Sequence, residues 1–133
     1  MKPLAFLTIA VLWVAQAAFA DDAQGNHAVW GIGQSSCHAY SQARAAGEFT
    51  EYKTYLMGYL TACNTFIPET YNITGSKDLD GVLSWLDEYC KKSPVDSFER
   101  AMSQIVAAFR GSRATKAPST PSWGRPPSFD GKN

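Results

Sequence analysis

Residues 49–67 read Phe-Thr-Glu-Tyr-Lys-Thr-Tyr-Leu-Met-Gly-Tyr-Leu-Thr-Ala-Cys-Asn-Thr-Phe-Ile, the strongest periodic signal in the chain. Phe49, Tyr52, Leu56, Tyr59, Leu60, Cys63 and Ile67 recur at steps of three and four. That is the spacing of one helix face, not the alternation of a strand. Tyr55 and Phe66 broaden the face. Gly58 falls mid-helix, where glycine costs up to about 1 kcal/mol relative to alanine. A close helix crossing at Gly58 is the expected compensation. Pro68 ends the segment, because its ring clashes with the preceding turn and it has no N–H to donate.

Helical patterns lie on both sides of this segment. Toward the N-terminus, Ser35-Ser36 can cap a helix that begins at Cys37 and runs through residues 37–46, rich in Ala, Gln and Arg, to a stop at Gly47. Toward the C-terminus, residues 68–77 form a polar loop with Asn72 and Gly75 as turn residues. Its Asn72-Ile73-Thr74 sequon is read as a chance match. Asp78 or Asp80 caps a helix over 79–91, with Leu79, Val82, Leu83, Leu86 and Cys90 as its stripe and Trp85 and Tyr89 beside it. Lys91 and Lys92 suit its negative pole. Ser93-Pro94-Val95-Asp96 reads as a fresh start, with Ser93 as cap and Pro94 in the first helical position. Phe98, Met102, Ile105, Val106 and Phe109 form the fourth stripe, ending near Gly111.

No strand pattern and no internal repeat competes. The expectation is an all-α, small single-domain four-helix fold over 35–111 with one disulfide. Residues 21–34 are read as a loose N-terminal segment whose Trp30 and Ile32 can dock on the core. Residues 112–133 hold four of the seven prolines and read as a disordered Pro-rich tail. Pro118-Ser119-Thr120-Pro121 is read as a spacer.

Residues 4–15 are apolar, Lys2 supplies a positive start and Ala18-Phe19-Ala20 closes the run. Residues 1–20 therefore read as a secretory signal peptide. The run is short for a membrane span, and no second apolar segment follows. Removing it leaves 113 residues with 11 Lys+Arg against 12 Asp+Glu, enough for one domain. A net charge near −1 with no basic patch speaks against nucleic acid and anionic membrane as partners. Export places the chain in the periplasm or outside the cell, where cysteines oxidise.

Cys37, Cys63 and Cys90 make an odd set. One pair and one free thiol is the expectation, with three pairings open. Cys37–Cys90 would close the largest loop, a constraint of roughly 4 kcal/mol in the loop-entropy model. Cys63, on the apolar face of its helix, reads as a small buried hydrophobe, and no CxxC motif suggests redox work.

Catalytic chemistry is sparse. His27 and His38 are the only histidines, and zinc would want more ligands at recognisable spacing. Asp78/Asp80 are explained by capping and Asp87/Glu88 by a solvated helix face. Neither a G-x-S-x-G element nor a P-loop is present. The chain reads as a non-enzyme with no cofactor and no metal. Asn64 reads as an amide bonded to a neighbouring loop, and the tyrosines as core or groove material. Tyr55, Tyr59, Asn64 and Trp85 are the residues expected to line a groove or client-binding surface.

Four clusters together carry a resemblance: Ser36-Cys37; Tyr55-Leu56-Met57-Gly58-Tyr59-Leu60 with Asn64; Asp78, Asp80 and Gly81; and Trp85-Leu86-Asp87-Glu88-Tyr89-Cys90 with Pro94. Over residues 35–110 the chain resembles the HdeA/HdeB-like periplasmic helical proteins, which are acid-stress chaperones. A weaker resemblance is to the Rap1a/Tai immunity proteins of type VI secretion. The first implies a disulfide between Cys37 and Cys90, joining the first helix to the third. It also implies a homodimer at neutral pH that loosens in acid and exposes apolar surface to unfolding client proteins. In strong acid the net charge would rise to about +14, and self-repulsion would open the fold. The second implies an immunity or inhibitor protein that blocks a secreted toxin or enzyme, with exposed aromatics or acids of the Asp78–Asp80 loop in contact. Cys63, the long tail and the lack of dense lysine patches depart from the chaperone pattern.

Overall fold

A computed structural model describes residues 21–119; the expected leader, 1–20, and residues 120–133 of the expected tail lie outside the described residues. Four helices follow in order: α1 Cys37–Ala46, α2 Thr50–Phe66, α3 Leu79–Lys92 and α4 Phe98–Phe109. Short 3-10 turns at Gly31–Gln34 and Arg110–Ser112 flank them. Among the described residues there is no β-strand, only isolated bridges between Ser36 and Ser97 and between Asn72 and Ala114. The small all-α domain read from the periodicity is therefore the fold.

Local chemistry sets most boundaries. The Ser36 hydroxyl accepts the Ala39 N–H at the start of α1, satisfying a donor that has no partner within the helix. Gly47 ends α1 in the left-handed conformation, φ 75°, where a side chain would be strained. Of the two aspartates proposed for α3, Asp78 is the cap, accepting the Gly81 N–H at 2.9 Å.

The start of α4 differs from expectation. Ser97, not Ser93, is the cap, accepting the Arg100 N–H at 3.1 Å. Residues 93–96 instead close the N-terminus of α1. The Asp96 carbonyl accepts the Cys37 N–H at 2.8 Å and the Pro94 carbonyl accepts the His38 N–H at 2.9 Å. The Asp96 carboxylate receives the Tyr89 hydroxyl and pairs with Arg100 at 3.6 Å. A turn committed to another helix's free donors cannot also wind as the first turn of its own.

The core gathers around three rings. Tyr40, Tyr52 and Phe98 lie with centroids 4.9–5.4 Å apart, and Leu56, Leu86, Met102 and Ile105 are fully buried. Cys37 and Cys90 form the disulfide, which links α1 to α3 inside this core. The Asp87 carboxylate sits over the same seam. It accepts the Tyr40 hydroxyl at 2.6 Å and the Arg44 guanidinium at 3.1 Å. Burial, then Asp87, pushes the Tyr40 phenol far above its usual range, so it stays a donor.

Two further expectations are corrected. A Cβ built at Gly58 meets nothing within 4 Å, so no helix crosses closely there. The fold also runs past residue 111. The Tyr71 and Asn72 N–H groups both donate to the Ala114 carbonyl, and the Ala114 N–H returns to Asn72. At Gly75, φ 64°, a Cβ would stand 2.2 Å from the Ser112 carbonyl oxygen. Loop 71–75, with Ile73 and Thr74 buried, needs backbone partners, and Ala114 supplies them.

Candidate functional site

Tyr55 and Tyr59 lie one turn apart on α2, with Gly58 between them in sequence. Across from them lie the first 3-10 turn and the chain just before it. Ile32 packs on the core and Gly33 is buried beneath the Tyr55 ring, where a Cβ would fall 2.3 Å from the hydroxyl oxygen. Of the two residues expected to dock, Ile32 does so, while Trp30 remains 80% exposed. The Gln34 amide donates to the Val29 carbonyl at 2.6 Å and fastens this turn.

Between this segment, α2 and the first turn of α4 lies a groove of about 660 Å³, lined by Tyr55, Gly58 and Tyr59, by Glu99, and by residues from Asp21 and His27 to Trp30. The Tyr55 and Tyr59 rings lie 6.3 Å apart and tilted by 32°. His27 holds the segment down. Its Nε2 meets Glu99 Oε1 at 3.1 Å and its Nδ1 meets Asp21 Oδ1 at 3.3 Å. Glu99 first, then Asp21, raises the His27 pKa above its ordinary value. Burial, and then the Glu99 charge, raises both tyrosine phenols, which stay protonated as donors.

The outward face of α2 continues from this groove. Met57, Thr61, Ala62, Thr65 and Phe66 are exposed, and none carries charge. Phe66 is 81% exposed. The Thr61 hydroxyl donates to the Met57 carbonyl at 2.8 Å and the Thr65 hydroxyl to the Thr61 carbonyl at 2.9 Å. Both hydroxyls are thus satisfied within the helix, and the face meets solvent largely through hydrocarbon.

Of the four residues expected to form one surface, Tyr55 and Tyr59 share the groove. Asn64 and Trp85 do not line it. The Asn64 Oδ1 accepts the Ile73 N–H at 2.7 Å and anchors the 71–75 loop. Trp85 stacks on Tyr89 at 5.4 Å and meets the edge of Phe109 at 5.8 Å. Cys63 is a free, half-buried thiol whose pKa burial raises, the opposite of an activated thiolate. Sequence reading gives His27, Glu99, Asp21 and Gly58 no part in a groove. His27 and Glu99 lie 72 positions apart, and no local pattern joins them. Gly58 stands out in the sequence as a helix-weakening residue, but its expected compensation there is a helix crossing and not an open groove wall.

Among the described residues, no group of three or more His, Cys, Asp or Glu could hold a metal ion, and no helix is long and apolar enough to cross a membrane. Comparison with known proteins finds no matching family model, no matching curated protein and no matching solved structure.

Proposed function

We propose that this is an exported helical binding protein whose ligands are other proteins, acting as an HdeA-like periplasmic stress chaperone. The observation that carries the reading is the charge-free outward face of α2, from Met57 to Phe66, with its threonine hydroxyls turned inward. Uncharged surface of this kind, continuous with an aromatic groove, suits contact with other polypeptides. In this reading a second copy covers the face at neutral pH, and acid releases it. The fold has the means. Asp87 ties Tyr40 and Arg44 across α1 and α3, Asp96 ties Tyr89 to the turn before α4, and Glu99 holds His27. Strong acid weakens contacts of this charge-assisted kind, while the buried disulfide keeps α1 and α3 joined.

The test is a pair of titrations between pH 7 and pH 2. One follows a dye that fluoresces on apolar surface; the other follows light scattering from an acid-sensitive client protein. The expected result is rising dye signal with suppressed scattering, together with a dimer-to-monomer change in sedimentation. Flat dye signal with unprotected client would sink the chaperone reading. The alternative is an immunity or inhibitor protein, which the fixed, strapped groove also suits. Capture from periplasm of one stoichiometric toxin or enzyme, instead of many clients, would select it.

A further inference from the structure

The groove beside α2 already has an occupant of its own. The His27 ring stands between Glu99 and Asp21, at 3.1 and 3.3 Å, with the Tyr55 and Tyr59 rings and the exposed Trp30 lining the same space. Two carboxylates beside aromatic faces form a receptor for a cation. The carboxylates supply charge, and ring faces add about 0.5–2 kcal/mol per well-placed cation. Glu99 is the stronger of the pair in this respect, because its side chain is only 12% exposed and is less screened.

Gly58 is a second and independent pointer. It weakens α2 by about 1 kcal/mol relative to alanine, and packing does not explain it, since a Cβ there meets nothing within 4 Å. What the missing side chain leaves open is the groove wall between Tyr55 and Tyr59.

We propose that this groove binds an arginine side chain of a partner polypeptide, which displaces His27 from Glu99 and Asp21. The inference deepens the protein-binding reading above and rests on it. Arginine fits better than lysine because its planar guanidinium can stack on a tyrosine or tryptophan face while presenting a donor fork to a carboxylate. Histidine is the internal stand-in: a flat, cationic ring in the same place.

The probe is a blocked, nine-residue Gly/Ser peptide with one central arginine, compared with its citrulline counterpart of the same shape and no charge. Binding to the exported protein is followed by NMR. The expected result is saturable shifts of the Gly58 and Tyr59 amides and the Trp30 indole N–H, with citrulline at least tenfold weaker. Glu99→Gln should lower affinity about tenfold. Gly58→Leu should abolish binding, and Gly58→Ala should raise the thermal midpoint by a few degrees, which shows that the site tolerates a side chain in the folded state. Equal binding of both peptides, or shifts that fall elsewhere, overturns the proposal. Acid protection of a client with no preference for arginine overturns this inference alone. Arginine preference without client protection supports it and overturns only the chaperone reading.

Discussion

Removing the Cys37–Cys90 bond should cost this domain a large part of its stability. The perturbation is a Cys37→Ala/Cys90→Ala double variant, which leaves Cys63 as the sole thiol. The bond spans a sequence separation of 53. In the loop-entropy model a closed loop of that length removes roughly 14 cal/mol/K from the unfolded chain, or about 4 kcal/mol at 25 °C. Domains of this size are stable by about 5–15 kcal/mol in all. Both sulfurs lie in the core, at 0% and 1% exposure, so lost packing adds to the entropy term. The thermal midpoint should fall by roughly 20 °C. Urea unfolding followed by far-UV dichroism measures the difference, and the slope of the transition should steepen as the released chain exposes more surface. A change below about 1 kcal/mol would refute the argument, because the open chain would then be as constrained as the closed one. Alkylation of the unfolded, unreduced wild-type protein supplies the second check: one modified thiol per chain is expected, and three would refute the pairing itself.

Two further outcomes follow from single side chains. Asn64→Ala removes the acceptor for the N–H of Ile73, a fully buried residue, and should cost about 1–3 kcal/mol; urea unfolding gives the total, and faster amide exchange at Ile73 locates it. For His27, the raised folded-state pKa means that its hold on Glu99 and Asp21 is complete below the unfolded value of 6.5 and is lost as pH rises through the folded value. Amide protection over residues 22–29 should therefore decline from pH 6 to pH 8.5, and His27→Gln should show no such slope.

Wherever structure is decided by neighbours along the chain, residues announced it. Ser36, Gly47 and Asp78 end or begin helices through bonds that span three or four positions, periodicity marks α2, α3 and α4, and helix-forming composition marks α1. Ser93 misled because its turn, which has every local mark of a helix start, is committed to the backbone of α1, with Asp96 bonded to Cys37 and Pro94 to His38. The tail boundary failed for the same reason, since Ala114 is held by Asn72. The disulfide stood open on spacing alone, with three pairings, and was implied only by resemblance. Half of the expected surface, Tyr55 and Tyr59, came from the helix pattern. The remainder of the groove depends on a histidine and a glutamate brought together by folding, which no period or motif encodes.

The disulfide also gives the chain a topology. It ties residues 37–90 into a covalent ring that contains α1, α2 and α3, while α4 and both ends hang outside. Force applied to the two ends would travel through the sulfurs and bypass the ring, hiding about 180 Å of extensible chain. Only α4 and the end segments could be peeled away, and peeling α4 strips Phe98, Met102, Ile105 and Phe109 from the ring they cover. The molecule is therefore built to come apart in one direction: a closed three-helix hoop that stays whole, and a fourth helix that acts as its removable stave.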